Sequence, residues 1–499
     1  MAVSSQVLRD VGIIGAMLDS PASGLSAKTV RSLRIWQPDK AGTVFAAVLL
    51  WICIFIMIVP QGLDYNGING MPTSSDALGR FTWLFLLGAS TLALALHLKR
   101  TLILARWLNT FFVAFLALAL LSVVWSIDPG LTTRRVLRAL TIVMICMGFT
   151  LVSWHPKRFQ NVVRPLMTTV LVSSVIFVLL DPDNAIHHMA QAELLGAWHG
   201  ITMGKNVLGS FASVYVVLWL HAWLSKEAKA LPAFAGIALG VFILVMTRSA
   251  TSVMSTVFAV IFMLIVLRSP GSLKRYMPYL VALFATLTLV YALAVLRLVP
   301  GMEIFLQPIA ALTGKDLTFT GRTAIWDILN AHIRLRPLLG SGYGAYWAGP
   351  TPTSPSFEML TRLYFYPTEG HNGYLDVIND LGWVGGLCLL GYFINFMRQA
   401  LMMMRFDRYQ GGLYLTLLFR GFMADMSESH WFLSLSVDFI IMTLATTALA
   451  RGLLQNQLNR IAGRIATAPA ASPAAPPVPA PRRAHVRSRQ RSTLIRRRP

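Results

Sequence analysis

Residues 42–60 read GTVFAAVLLWICIFIMIVP, nineteen positions without a charged side chain. At about 1.5 Å per residue, a helix of that length crosses the roughly 30 Å hydrocarbon core of a bilayer. The alternating pattern of a membrane strand is absent. In lipid the backbone must satisfy its own hydrogen bonds, which leaves the helix.

Outward from this run, similar apolar stretches recur at about 78–98, 107–126, 135–153, 160–180, 206–224, 231–247, 251–268 and 277–299, then at 376–397, 410–425 and 431–450. The pattern predicts an all-α, polytopic inner-membrane helical bundle of about 12 spans, with a large outer (periplasmic) loop between spans 9 and 10. Composition agrees: 55% of the residues are hydrophobic and 13% charged, too little polar surface for a soluble globule of this length. The chain divides into a cytoplasmic leader 1–41, spans 1–9 over 42–299, a loop 300–375 expected to carry the chemistry, spans 10–12 over 376–450, and a tail 451–499. The leader lacks an early hydrophobic region, so the first span is expected to serve as an uncleaved anchor. The Ala/Pro/Arg-rich tail cannot bury a core and is expected to be disordered, touching anionic lipid if anything.

The net charge of +22 does not indicate nucleic acid, because the basic residues flank the spans and crowd the last 20 residues. With a cytoplasmic start, the inner connectors carry Lys99, Arg100 and Arg106; Lys157, Arg158 and Arg164; Lys226 and Lys229; Arg268, Lys274 and Arg275; and Arg398, Arg405 and Arg408. That is the asymmetry membrane topology asks for. Cations on the outer side need another reason, and an anionic ligand supplies one. They are Arg134, Arg135, Lys205, Arg248, Lys315, Arg322, Arg334, Arg336 and Arg362.

Cys53, Cys146 and Cys388 lie scattered in apolar runs and suggest neither a disulfide framework nor a redox pair. His187, His188 and His199 lack an acidic partner at helical ligand spacing, so they are expected to be surface histidines, with no metal and no cofactor implied.

The stretch 320–385 gathers the remaining chemistry. GRTAIWDILNAHIRLRPLLG predicts an amphipathic helix with Ile325, Ile328, Leu329 and Ile333 on one side, capped by Thr320 and ended by Pro337 and Gly340. Arg322 then falls in the first turn, where free N–H groups already favour an anion and a guanidinium adds bidentate recognition. GSGYGAYW offers Tyr343 and Trp347, rings suited to a sugar face or to head-group depth. His371 stands just before a span and aligns, at helical spacing, with Tyr374, Leu375 and Ile378. Its imidazole titrates where it can take a proton from a hydroxyl, with Glu369 or Asp376 to orient it or act in its place. Arg248 sits in a very short turn, TRSATS, and an arginine there asks for water or a partner. Lys205 with Asn206 marks another span entry, and WSIDPGLTTRR adds Asp128, Arg134 and Arg135.

TRSA, GRTAIW, PLLGSGYGAYW and HNGYLDVINDLG, with a late outer loop in a multispan chain, resemble the bacterial O-antigen ligase and O-antigen polymerase superfamily, which includes exopolysaccharide-polymerisation proteins. The resemblance covers roughly residues 42–450. It implies inverting glycan transfer from a polyprenyl-diphosphate carrier at the outer face of the inner membrane, without nucleotide sugar or metal. Arg248 and Arg322 would hold the diphosphate, and His371 would activate the acceptor hydroxyl. Gly382 matches a glycine of the family, whereas Trp383 stands where a smaller aliphatic residue is usual, a departure that bears on the acceptor pocket.

The expected partners are the polyprenyl-diphosphate-linked glycan, an acceptor glycan, membrane lipids and a chain-length regulator. Polymerisation of lipid-linked repeat units into exopolysaccharide or O-antigen is the first expectation. Ligation of a finished glycan to lipid A core or another acceptor, and transport or flipping without covalent chemistry, are the alternatives. A transporter would show matching broken spans in two halves, and no such internal repeat is evident.

Overall fold

The computed structural model describes residues 40–60, 77–152, 158–188, 194–269, 275–295, 322–363, 365–432 and 436–467. Thr320, Lys157, Lys274, Lys315, most of the expected leader, the first part of the expected loop and the tail beyond 467 lie outside them. Among the described residues the fold is helix without strand, save one isolated bridge between Ile186 and Trp198.

The helices are α1 Lys40–Ile58, α2 Ala77–Leu96, α3 Leu98–Ala105, α4 Thr110–Leu121, α5 Pro129–Val152, α6 Arg158–Leu180, α7 Lys205–Leu224, α8 Ala230–Met246, α9 Ala250–Arg268, α10 Met277–Val295, α11 Arg322–Leu335, α12 Phe357–Leu363, α13 Gly373–Met404, α14 Arg408–Ala424 and α15 Val437–Thr467. Each of the twelve expected segments overlaps a helix, yet among the described residues eight helices are long and apolar enough to cross a membrane. A ninth is gained if α3 and the run Thr110–Val124 count as one span, and these two are bent by 106° at their break. The bend has a local cause: Asn109 caps α4 by accepting from the N–H groups of Phe111 and Phe112, while its Nδ2 donates to the Tyr392 carbonyl 2.9 Å away. Helices α8 and α10 are apolar but shorter, and α14 interrupts its apolar run with Gln410 and Arg420.

Burial separates inner from peripheral helices. In α15 94% of the apolar window is buried and in α7 83%, against 11% for α2. α7 packs on α8 and α9, α9 on α14, α14 on α13, and α13 on α4 and α11. Between α7, α14 and α15 the interior holds an ion pair, Arg420 Nη1 to Asp438 Oδ1 at 2.5 Å, with Ser210 and Ser213 satisfying the remaining donors. Polar groups at this depth require such satisfaction.

Helix α13 is not continuous. Gly382 has φ 65° and ψ −168°, a conformation open to glycine, and a Cβ there would run into the Leu338 backbone. The break frees two carbonyls and two N–H groups, and the segment 337–342 takes all four. Ser341 N–H donates to the Asn379 carbonyl and Gly342 N–H to that of Asp380, while Trp383 and Val384 donate to the carbonyls of Pro337 and Leu338. The glycines of GSGYG thus serve this docking: Gly340, Gly342 and Gly344 all have positive φ. Trp383 stands exposed on the outside of the bundle, so its bulk falls on that surface.

The connector histidines correct one expectation. His188 is exposed, but His187 and His199 are buried with ring centroids 4.6 Å apart, and burial pushes His187 down to about 4. They are a neutral, packed pair, not surface groups.

Candidate active site

Three elements bring charged groups together at one end of the bundle. The first is the N-terminus of α11. Its apolar face, Ile325, Ile328, Leu329 and Ile333, is buried against Tyr346, Trp347, Leu375 and Ile378, as the 3.6-residue period requires. That packing fixes the helix roll and carries Arg322 toward the connector between α14 and α15, where one guanidinium nitrogen donates to the Glu428 carboxylate at 2.9 Å and the other to the Ser427 carbonyl.

The second element is the entry to α13. His371 is not on the helix face: it precedes the N-cap Asn372, with φ 48°. A left-handed conformation is unfavourable for a residue with a Cβ and persists only where its neighbours are pinned. Here Trp326 Nε1 donates to the Gly370 carbonyl, Gly370 N–H to Asp376, Asn372 N–H to Ser429 Oγ, and Gly373 N–H to the carbonyls of Asp425 and Glu428. His371 Nδ1 consequently faces two carboxylates, Glu428 and Glu369, each at 3.4 Å.

The third element is the entry of α7 together with the TRSATS turn. Asn206 Nδ2 donates to Glu428 at 2.8 Å, and Ser249 Oγ donates to Asn206 Oδ1 at 3.1 Å. Thr251 and Ser427 share a hydroxyl hydrogen bond of 2.6 Å. Arg248, with φ 50°, is exposed and donates to the Leu195 carbonyl at 2.7 Å. The turn therefore joins the cluster through its serine and threonine, while the Arg248 guanidinium is held beside the 194–200 connector.

Glu428 is the hub, and it escaped the sequence reading. It is 7% exposed, against 19% for Arg322 and 27% for His371, so the cation and the imidazole can be reached from solvent while their shared carboxylate cannot. Burial opposes the charged form of Glu428, but the His371 hydrogen bond and Arg322 outweigh it and hold the acid down at about 2. Burial raises Glu369, against the pull of His371, to about 7. For His371 burial favours the neutral ring, yet the bonded Glu428 carboxylate prevails and raises its pKa. Glu369, His371 and Glu428 also place ligand atoms within 4.8 Å of one another, as a cation would require. Arg322 already supplies the positive charge there.

Of the other expected site residues, Asp376 and Lys205 adjoin this cluster. Asp376 accepts from Trp347 Nε1, Gly370 N–H and Ser429 Oγ, so both of its oxygens are engaged. Trp347 and Tyr343 are buried, the Tyr343 hydroxyl donating to the Phe432 carbonyl. Arg135 donates to the Trp347 carbonyl at 2.8 Å beneath the glycine loop, and Arg134 is exposed. Lys205 begins α7, next to Asn206.

Residues 235–390 match the family model described as O-antigen ligase, a range that includes Arg248, Arg322 and His371. The chain is also 25% identical over 282 residues to the exopolysaccharide production protein ExoQ of Rhizobium meliloti (strain 1021), an alignment covering 55% of this chain and 61% of that protein. With its multispan all-α bundle, the chain is thus similar to proteins of the O-antigen ligase and polymerase superfamily, over residues 235–390 to the family model and over 55% of its length to ExoQ.

Proposed function

We propose that the protein is a glycan polymerase of the bacterial inner membrane, joining polyprenyl-diphosphate-linked oligosaccharide units at the periplasmic face. The observation that carries this reading is the Arg322–Glu428–His371 cluster. It pairs a solvent-reachable guanidinium with a solvent-reachable imidazole whose other nitrogen is fixed by a carboxylate. Similarity to a protein named for exopolysaccharide production favours polymerisation. The ligase name of the matched family keeps transfer to a foreign acceptor as the second reading.

In the proposed reaction Nδ1 of His371 stays bonded to Glu428, which leaves Nε2 free to take the acceptor hydroxyl proton. The acceptor oxygen attacks the anomeric carbon of the donor glycan from the face opposite the diphosphate. The carbon–oxygen bond to phosphate breaks, and the electron pair leaves with the polyprenyl diphosphate. Arg322, and Arg248 once released from Leu195, would stabilise the developing charge. Lys205, Arg134 and Arg135 form the wider cationic surround, and Glu369 shares a proton near neutrality. Asp376, Tyr343 and Trp347 act by positioning the loop and the His371 turn.

Purified protein supplied with a defined lipid-diphosphate oligosaccharide should give a ladder of products, and His371→Ala should abolish it with the fold intact. A single adduct to a foreign acceptor would assign ligation; full polymer from His371→Ala would remove the base. Chelator should leave the ladder unchanged, since Arg322 provides the charge that a metal would.

A further inference from the structure

The last turn of α11 and the residues after it carry a feature that the reaction does not use. In the sequence Arg334-Leu335-Arg336-Pro337-Leu338-Leu339, the three leucines are 77%, 68% and 42% exposed. None lies on the buried face of α11, which ends at Ile333. Both arginines are exposed, and neither guanidinium forms a hydrogen bond or ion pair among the described residues. Isolated exposed leucines are ordinary; three within five residues, flanked by free cations, are not.

The position of this segment supplies the partner. Its carbonyls accept from Trp383 and Val384 of α13 and from Trp125 Nε1 at the end of the α4 run. Next to it, Trp383 and Leu387 are exposed on α13, which is long and apolar enough to cross a membrane, and Leu121 and Val124 are exposed at the end of the Thr110–Val124 run, which qualifies only when counted with α3. The leucines therefore continue the exposed apolar surface of α13, and two exposed arginines flank Leu335 in the sequence. Exposed leucine and arginine side by side, with tryptophan next to them, is the chemistry of a head-group layer.

We infer that residues 334–339 form a docking surface for anionic glycerophospholipid, with Leu335, Leu338 and Leu339 among the acyl chains and Arg334 and Arg336 on the phosphates. The lipid-linked donor is a poorer occupant. Arg334 lies twelve residues after Arg322 on the same helix, about 18 Å along its axis, farther than one diphosphate can bridge. The surface pins the C-terminal end of α11 to the bilayer, and with it the height at which the opposite end presents Arg322.

The test does not depend on glycan transfer. The full chain with Leu338→Cys, in a background lacking the other cysteines, is labelled with an environment-sensitive fluorophore and placed in nanodiscs of phosphatidylcholine with or without phosphatidylglycerol. Expected are a blue-shifted emission, quenching by spin-labelled phosphatidylglycerol, and enrichment of that lipid in the protein's retained annulus. At ~1 kcal/mol per basic residue, Arg334→Gln with Arg336→Gln should lower the enrichment about tenfold or more. Water-like emission in both discs would overturn the proposal. So would unchanged enrichment in the double variant, or quenching by polyprenyl diphosphate with none by phosphatidylglycerol.

Discussion

Glu428 determines what the neighbouring side chains can do. Without it, Arg322 would lose its buried counter-charge and His371 the acceptor that fixes its tautomer. Because the carboxylate raises His371, the base form grows in above the ordinary imidazole range, and the acid limb of the rate profile should lie there. Glu428→Gln removes the cause of that rise, so the limb should move to lower pH while the maximal rate falls about 100-fold; a pH–rate profile measures both. An unmoved limb would mean that another group is titrating. Arg322 and His371 were legible in the sequence because each sits in a recognisable motif. Glu428 lies 57 residues beyond His371 in the connector 425–436, where no local pattern announces a partner. The available signal was an acid and a histidine, SESH, between two spans of a chain with 21 acidic against 43 basic residues.

At the scale of elements, the periodic segments were the readable part. The amphipathic face of α11 is buried at the four positions its spacing marks. The breaks were not readable, since a glycine inside an apolar run looks the same whether the helix continues or stops there. The docking of 337–342 into α13 makes a sharp prediction. Gly382→Ala forces a Cβ into the Leu338 backbone and a conformation costing about 1–3 kcal/mol, so the loop should detach. Hydrogen exchange at Ser341, Gly342, Trp383 and Val384 should accelerate together. Protection lost at Trp383 and Val384 alone would mean that the four bonds do not form one unit.

The molecule as a whole is a membrane bundle whose helix positions follow from hydropathy, though the expected twelve spans outnumber the eight or nine helices that qualify by length and apolarity. Hydropathy also hides the interior: Arg420 and Asp438 sit in separate apolar runs, and only packing shows that they meet. Asp438→Asn should strand a buried guanidinium and cost about 3–5 kcal/mol, seen as a large fall in thermal midpoint in detergent. Pairing it with Arg420→Met should recover much of the loss, and an absence of recovery would assign Asp438 to another interaction. The discontinuity at Gly382 has a mechanical consequence. A straight helix would pass every tilt of its lipid-embedded half on to His371, whereas a half-helix tied sideways to the 337–342 segment is insulated from it. Membranes of different thickness should then alter the lean of residues 383–404 while the spacing of His371 from Arg322 stays constant.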